Sequence, residues 1–425
     1  MSEQRYLFNR EKGIERFNFF LLAGLVFFAS GIFKPELIAY QGMQYAIILF
    51  CMLALLIINI DVEHYPIRPV VVLGVMIIIS GIHGFLNDGN THMLIKGVIF
   101  TLMVCMTAAI STKLRFETII NALFAGAAVL LLFNILLCLW YPALGVDHGK
   151  FYGSWEGVFD QKNILGRLTV FATITALMRT ICLKKGYLVT IIIVALAIWC
   201  CLNSDSRTSL MLCFLSVVIF AFVQMCQLLA AFKNWFSNQF VLLSLLLLVV
   251  CLGAIAALST PYNLQTGYDG IILFGKHISL TGRLTIWAYA LSHLADHSLL
   301  FGYGLDGFWT PRHFEEYGAI FPTNNFYPND SHNGLVDLMV NMGVIGGALY
   351  IGILVSLMVW ATPVRSIIDR KINMCFFLFL IIYVCGNITE SDILKSTSVL
   401  NVVFFIMIFK FFSKENLMLH RQSTP

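Results

Sequence analysis

Runs of around 20 predominantly apolar residues recur along the whole length of this chain, and no other feature restricts its fold as strongly. A bilayer core about 30 Å thick is crossed by about 20 helical residues. Hydrophobic residues make up 59% of the chain and charged residues only 12%, against about 25% charged in a soluble domain. The expectation is an all-α polytopic membrane protein. Its spans are read near 17–33, 43–60, 68–86, 94–112, 117–141, 164–182, 187–203, 209–231, 240–259, 335–360, 373–389 and 396–413, about twelve in all. Arg5, Arg10, Lys12 and Arg16 precede the first run and no small-residue cleavage site follows it, so the first span reads as retained. The eleven cysteines sit in or at the ends of spans, which argues against a disulfide framework or a structural zinc site.

Alternation from a cytoplasmic N-terminus puts 17 of the Lys and Arg residues on the inner side and 10 on the other, the latter spread over far more loop. The positive-inside rule supports that orientation. Both termini are then cytoplasmic. The chain divides into N-terminal spans (1–258), a large extracytoplasmic loop (259–335), and C-terminal spans with a cytoplasmic tail (336–425). The net charge of +4 is modest, and no nucleic-acid partner is expected.

The outer cations face the side that the rule disfavours, and charges near a bilayer usually face a partner or a wet cavity. Lys34 and Lys276 read as interfacial snorkelling; Arg167, Arg207 and Arg283 need another reason. Asp160-Gln161-Lys162-Asn163 gathers a carboxylate, an ammonium and an amide on a short outer loop, suited to a sugar or phosphate as well as to helix capping. His332-Asn333 opens the tenth span, where a neutral imidazole can take a proton from a hydroxyl. Residues 283–299 read as an amphipathic helix capped by Thr281, its Leu284, Trp287, Leu291 and Leu294 face lying on the outer leaflet. His293 and His297 share a helical face at metal-binding spacing, but the His-Glu-x-x-His glutamate is missing and they read as surface histidines. Gly302-x-Gly304-x-x-Gly307 satisfies a dinucleotide fingerprint without the βαβ setting it needs, so it reads as turn geometry. The spans are poor in mid-membrane charge, Asn134 being a main polar interruption, and show no inverted repeat, which weighs against a transporter.

Four motifs occur in order: Ser206-Arg207-Thr208, Gly282-Arg283-x-x-x-Trp287, Phe301-Gly302-x-Gly304 and His332-Asn333 before a glycine-rich span. Together they resemble the O-antigen ligase and O-antigen polymerase superfamily. The resemblance implies a GT-C-like, metal-independent glycosyltransferase that uses no cofactor. It implies work on the periplasmic face of a bacterial inner membrane, with an undecaprenyl-diphosphate-linked oligosaccharide as donor. It also implies that Arg207 and Arg283 hold the diphosphate and that His332 is the histidine of the large loop. Phe159-Asp160-Gln161-Lys162-Asn163-x-x-Gly166 leans toward the polymerase branch, which joins repeat units in O-antigen or exopolysaccharide. The alternative is the ligase, whose acceptor is lipid A-core. A chain-length regulator is a further expected partner of a polymerase.

The residues support that chemistry on their own terms. Displacement at an anomeric carbon builds charge on a departing diphosphate, and the guanidinium fork suits two phosphate oxygens. The expected catalytic residues are therefore His332, Arg283 and Arg207, with Lys162, Asn163, Asp160, Arg167 and Asn333 binding substrate. Tyr152, Trp155, Trp309 and Tyr317 are available to stack on sugars, or to form an interfacial belt. Glu390 and Asp392 receive no role. A lipid-linked sugar flippase and a non-catalytic scaffold are the competing classes.

Overall fold

The computed structural model describes residues 2–37, 41–149, 151–184, 186–228, 271–273, 276–278, 283–321, 328, 330–360, 367–395 and 398–411. The expected span at 240–259, Lys276's side chain and the Thr281 cap lie outside the described residues. The described chain is nearly all helix. In order it runs α1 (Ser2–Ala29), α2 (Gln41–Asn59), α3 (Ile67–Asp88), α4 (Thr91–Lys113), α5 (Phe116–Trp140), the single turn α6 (Pro142–Gly145), α7 (Lys162–Leu183), α8 (Tyr187–Asn203) and α9 (Arg207–Leu228). A short antiparallel ribbon follows, β1 (Ile271–Leu273) with β2 (Lys276–Ile278). Then come α10 (Arg283–His297), α11 (Pro311–Ile320), α12 (Gly334–Trp360), α13 (Ile367–Thr389) and α14 (Val399–Phe411).

Among the described residues seven helices are long and apolar enough to cross a membrane: α2, α3, α4, α5, α7, α12 and α13. Helices α8, α9 and α14 are shorter and apolar. The protein is an all-α polytopic membrane protein. Helix α7 is its centre, with 83% of its apolar window buried against 33% in α2 and α3. Leu49, Ile57, Val72 and Ile79 on those outer helices are exposed, as lipid-facing residues must be. Being central, α7 carries its threonines at no cost in unpaired groups. Thr175 and Thr180 bond back to carbonyls of the preceding turn, and Thr173 to Cys213 of α9. The nine cysteines whose side chains are described are free.

The two ends of the bundle use charge differently. At the end away from the 146–161 loop, Lys410 reaches the carbonyls of Ser111 and Leu114 (2.9 Å each), and Lys371 that of Cys182 (2.7 Å). These are orphan carbonyls of helix C-termini, where cations are favoured. At the opposite end Lys34 is not snorkelling. It is mostly covered and bonds the Glu156 carboxylate (3.1 Å) and the Leu144 carbonyl (2.8 Å). Asn134, inside α5, accepts the Val158 N–H at 2.8 Å and so ties the 146–161 loop onto the bundle.

The amphipathic helix α10 does not lie on a leaflet. Its Leu284, Trp287 and Leu294 are buried in a second core with Phe308, Tyr317, Phe321, Val336 and Val340. The turn at 298–304 holds α10 against α12, which is broken at Gly343 (φ 65°). Tyr303 and Gly304 donate to the Val340 and Asn341 carbonyls that the break frees, at 2.8 and 2.7 Å, while Val344 donates to Leu299. Gly304, at φ 88°, also lies so close to Gly84 of α3 that a Cβ would overlap its backbone. The glycine pattern is therefore a clasp between three helices, not a nucleotide site.

Candidate functional site

Chain order puts the end of α1 on one side together with the starts of α2, α4, α7, α9, α12 and α14. There they enclose one open cavity of about 2010 Å³. Its polar floor is assembled from segments far apart in sequence. Arg167, in the second turn of α7, bonds Asp392 at 3.2 Å. Arg283, the first residue of α10, bonds Glu390 at 3.2 Å. The second Glu390 oxygen lies 3.8 Å from Nδ1 of His332, and Asp330 lies 3.4 Å from the same nitrogen. Lys395 closes the row on Asp330 at 2.7 Å.

The local chain explains why these groups sit still. Asn387 accepts the N–H groups of Asp392 and Ile393, and Asn401 donates to the carbonyls of Asp392, Ile393 and Lys395, so 390–395 is a pinned turn. His332 has φ 48° and its N–H bonds the Asp330 side chain at 2.9 Å. Asp205 (φ 48°) and Asp306 (φ 55°) share this conformation, and all three line the cavity. Left-handed non-glycine residues are uncommon and gather where surrounding structure imposes them, often at functional sites.

Burial opposes every charge here, and pairing overcomes it. It pushes His332 down, but the Glu390 carboxylate beside it and the Asp330 charge raise it above the ordinary histidine value. Burial raises Asp330 and Glu390, yet Lys395 and His332 hold the first, and His332 and Arg167 the second, below the usual carboxylate range. Lys395 is likewise raised by Asp330 against burial.

The expected site residues divide. Arg167, Arg283 and His332 meet in this network. Lys162 lines the cavity, bonds Asp205 at 3.1 Å and sits over the Phe151 ring at 4.1 Å, with Asp160 and Asn163 beside it. Arg207 also lines the cavity, but its side chain is 93% exposed and only 4.0 Å from Asp205. Asn333 departs from its expected role. Its side chain caps α12, accepting from Leu335 and Val336 at 3.0 and 3.2 Å, and it does not line the cavity. Trp309 and Tyr317 border the cavity, whereas Trp155 is buried against Trp199. Glu390, Asp392 and Lys395 had no expected role. Two carboxylates and a lysine between apolar spans were a usable signal, because outer arginines without partners call for them.

One wall is apolar: Ile32, Ala46, Leu49, Ile95 and Ile99, from the α1 end, α2 and α4. The cavity thus joins a charged floor to the face that meets lipid. Carboxylates outnumber cations among its lining residues, so an anionic ligand would have to exchange with resident carboxylates. Arginine permits this, because a guanidinium has five donors and Glu390 occupies one of Arg283's.

Residues 192–351 match the Wzy_C family, described as O-antigen ligase. That stretch is similar to the O-antigen ligase family, which supports the resemblance to the O-antigen ligase and polymerase superfamily. A comparison with curated proteins returns no match. Proteins of the O-antigen ligase family are glycosyltransferase-like enzymes. Arg207, Arg283, Asp330 and His332 fall inside the matched stretch, while Lys162, Arg167, Glu390, Asp392 and Lys395 lie outside it.

Proposed function

We propose that this chain is a bacterial inner-membrane glycosyltransferase that polymerises undecaprenyl-diphosphate-linked repeat units at its periplasmic face. The observation that carries the reading is the cavity itself. A row of Arg167, Arg283, His332 and Lys395 with their carboxylates opens beside an apolar wall facing lipid. A diphosphate on a polyprenyl tail has those two halves. Guanidinium groups of Arg283, Arg167 and Arg207 bind its oxygens and stabilise the charge that grows as the glycosyl bond breaks. His332, in its neutral form, takes the proton of the attacking sugar hydroxyl, and Glu390 and Asp330 orient and stabilise the imidazolium that results. The arginines supply the positive charge opposite the diphosphate, and the prediction is that turnover in excess EDTA does not depend on added magnesium or manganese.

The family's printed description favours a second reading, transfer of the finished glycan to lipid A-core. A deletion strain separates the two. Loss of long polymer, with single repeat units on the surface glycan, supports polymerisation. Long polymer stranded on polyprenyl diphosphate and absent from lipid A supports the ligase. Normal glycan on lipid A in the deletion strain rejects both.

A further inference from the structure

A second constellation lies apart from the cavity, between α10 and α11. His293, His313 and Glu316 each offer a ligand atom, and these atoms lie within 4.8 Å of one another. The spacing His293/His297 suggests a different pair, but it is α11 that brings the partners; the His297 side chain lies outside the described residues. His313 is buried, His293 has a quarter of its side chain exposed, and Glu316 faces water at 42%.

The hydrogen bonds around the cluster define what it is built to hold. Nδ1 of His293 lies 2.9 Å from the Tyr289 carbonyl. A carbonyl only accepts, so Nδ1 carries the proton, and in a neutral ring the Nε2 lone pair is left facing inward. Nε2 lies 3.2 Å from Oε1 of Glu316. Two acceptors meeting at that distance require a positive species between them. The outer group on His293 is one that orients metal ligands, a carbonyl on its far nitrogen, and the Tyr289 hydroxyl donates to the His313 carbonyl at 3.4 Å, fixing the backbone of the second histidine. Ligand bonds of about 2.0–2.1 Å in a tetrahedron set neighbouring donor atoms about 3.3–3.5 Å apart. The His293–Glu316 edge, at 3.2 Å, is close to that spacing, and the His313 ring stands 5.5 Å from the His293 ring, nearly perpendicular to it.

We propose that His293, His313 and Glu316 bind a zinc-class divalent cation outside the reaction cavity. Two imidazoles and one carboxylate suit zinc or cobalt better than magnesium or calcium, which prefer all-oxygen sets. The ion pins α11 to α10. Trp309, Thr310, Pro311 and Tyr317, which border the cavity, belong to α11 or lead into it. The ion therefore braces a wall and takes no part in the transfer.

The test uses full-length protein in detergent, stripped with EDTA, dialysed and titrated with zinc chloride. The expected result is one zinc per chain, with affinity weakened at least about 100-fold in Glu316→Gln and His293→Ala, since even outer-shell changes cost about 10–100-fold. Cobalt chloride should give the intense visible bands of four-coordinate cobalt in the wild type and not in Glu316→Gln. Glu316→Gln keeps the shape of a half-exposed side chain, so its zinc-free thermal midpoint should equal the wild type's, and only the wild type should gain stability from zinc. Equal zinc binding by wild type and Glu316→Gln means adventitious sites and overturns the proposal. Absence of stoichiometric zinc in the wild type leaves an imidazolium–carboxylate pair only, and overturns it equally.

Discussion

Arg283 and His332 share Glu390, and this decides how single substitutions will read. Arg207 is almost fully exposed, so Arg207→Ala should accumulate normally and lose about 10²–10³ in turnover of lipid-linked donor, the usual loss for one fixed donor to a developing charge. Lysine there should restore only part, since it keeps charge without the fork. Arg283→Ala should lose as much turnover and also lose stability. It leaves the buried Glu390 with one partner fewer, and breaking a buried pair costs about 3–5 kcal/mol. Adding Glu390→Gln to Arg283→Ala should recover membrane abundance but not turnover. Normal turnover by both alanine variants at normal abundance removes the diphosphate clamp. His332→Ala should lose about 10²–10⁴.

The pH dependence of His332 follows from the direction of its shift. A raised value favours the charged ring in the folded protein, so the stabilising pairings with Glu390 and Asp330 are complete below the ordinary histidine value of about 6.5. They fade as pH rises through the raised value. The neutral base appears over that same window, so the acidic limb of kcat/KM should lie above about 6.5. Glu390→Gln removes one raising charge and should move the limb to lower pH. A limb that stays in place in that variant argues against His332 as the titrating base.

At the scale of elements, the break in α12 and the turn at 298–304 hold the loop helices over the cavity. Gly304→Ala requires a Cβ where the backbone of Gly84 already lies, at a positive φ that costs about 1–2 kcal/mol by itself. Its thermal midpoint in detergent should fall and turnover should fall with it. An unchanged midpoint rejects the clasp. Phe308 is fully buried in the second core, and Phe308→Ala should cost about 3–5 kcal/mol in the same measurement.

For the whole molecule, the charge division predicts a cavity that faces outward. Tyr152 is 81% exposed on the loop before α7, while Glu63 is exposed in the turn between α2 and α3. Tyr152→Cys should react with an impermeant maleimide in intact cells, and Glu63→Cys only after lysis. The reverse pattern would turn the cavity to the cytoplasm and remove the periplasmic reading with it.

Membrane class and the positions of the apolar helices follow from the sequence alone, because lipid demands a local property, enough consecutive apolar residues; the sidedness of the loops is an expectation from the placing of cations. The motif residues Arg207, Arg283 and His332 were legible because each is a costly charge or a lone imidazole on the disfavoured side. Their relationships were not. Glu390 is 107 positions from Arg283, and Asp392 is 225 from Arg167, and no periodicity links residues on different helices. Only packing around α7 shows that these carboxylates hold the arginines, that Asn333 is a cap, and that α10 has a core to bury its apolar face in place of a leaflet. The same packing brings His293 to His313 and Glu316, since a helical face states what a residue can meet but its neighbour decides what it does meet.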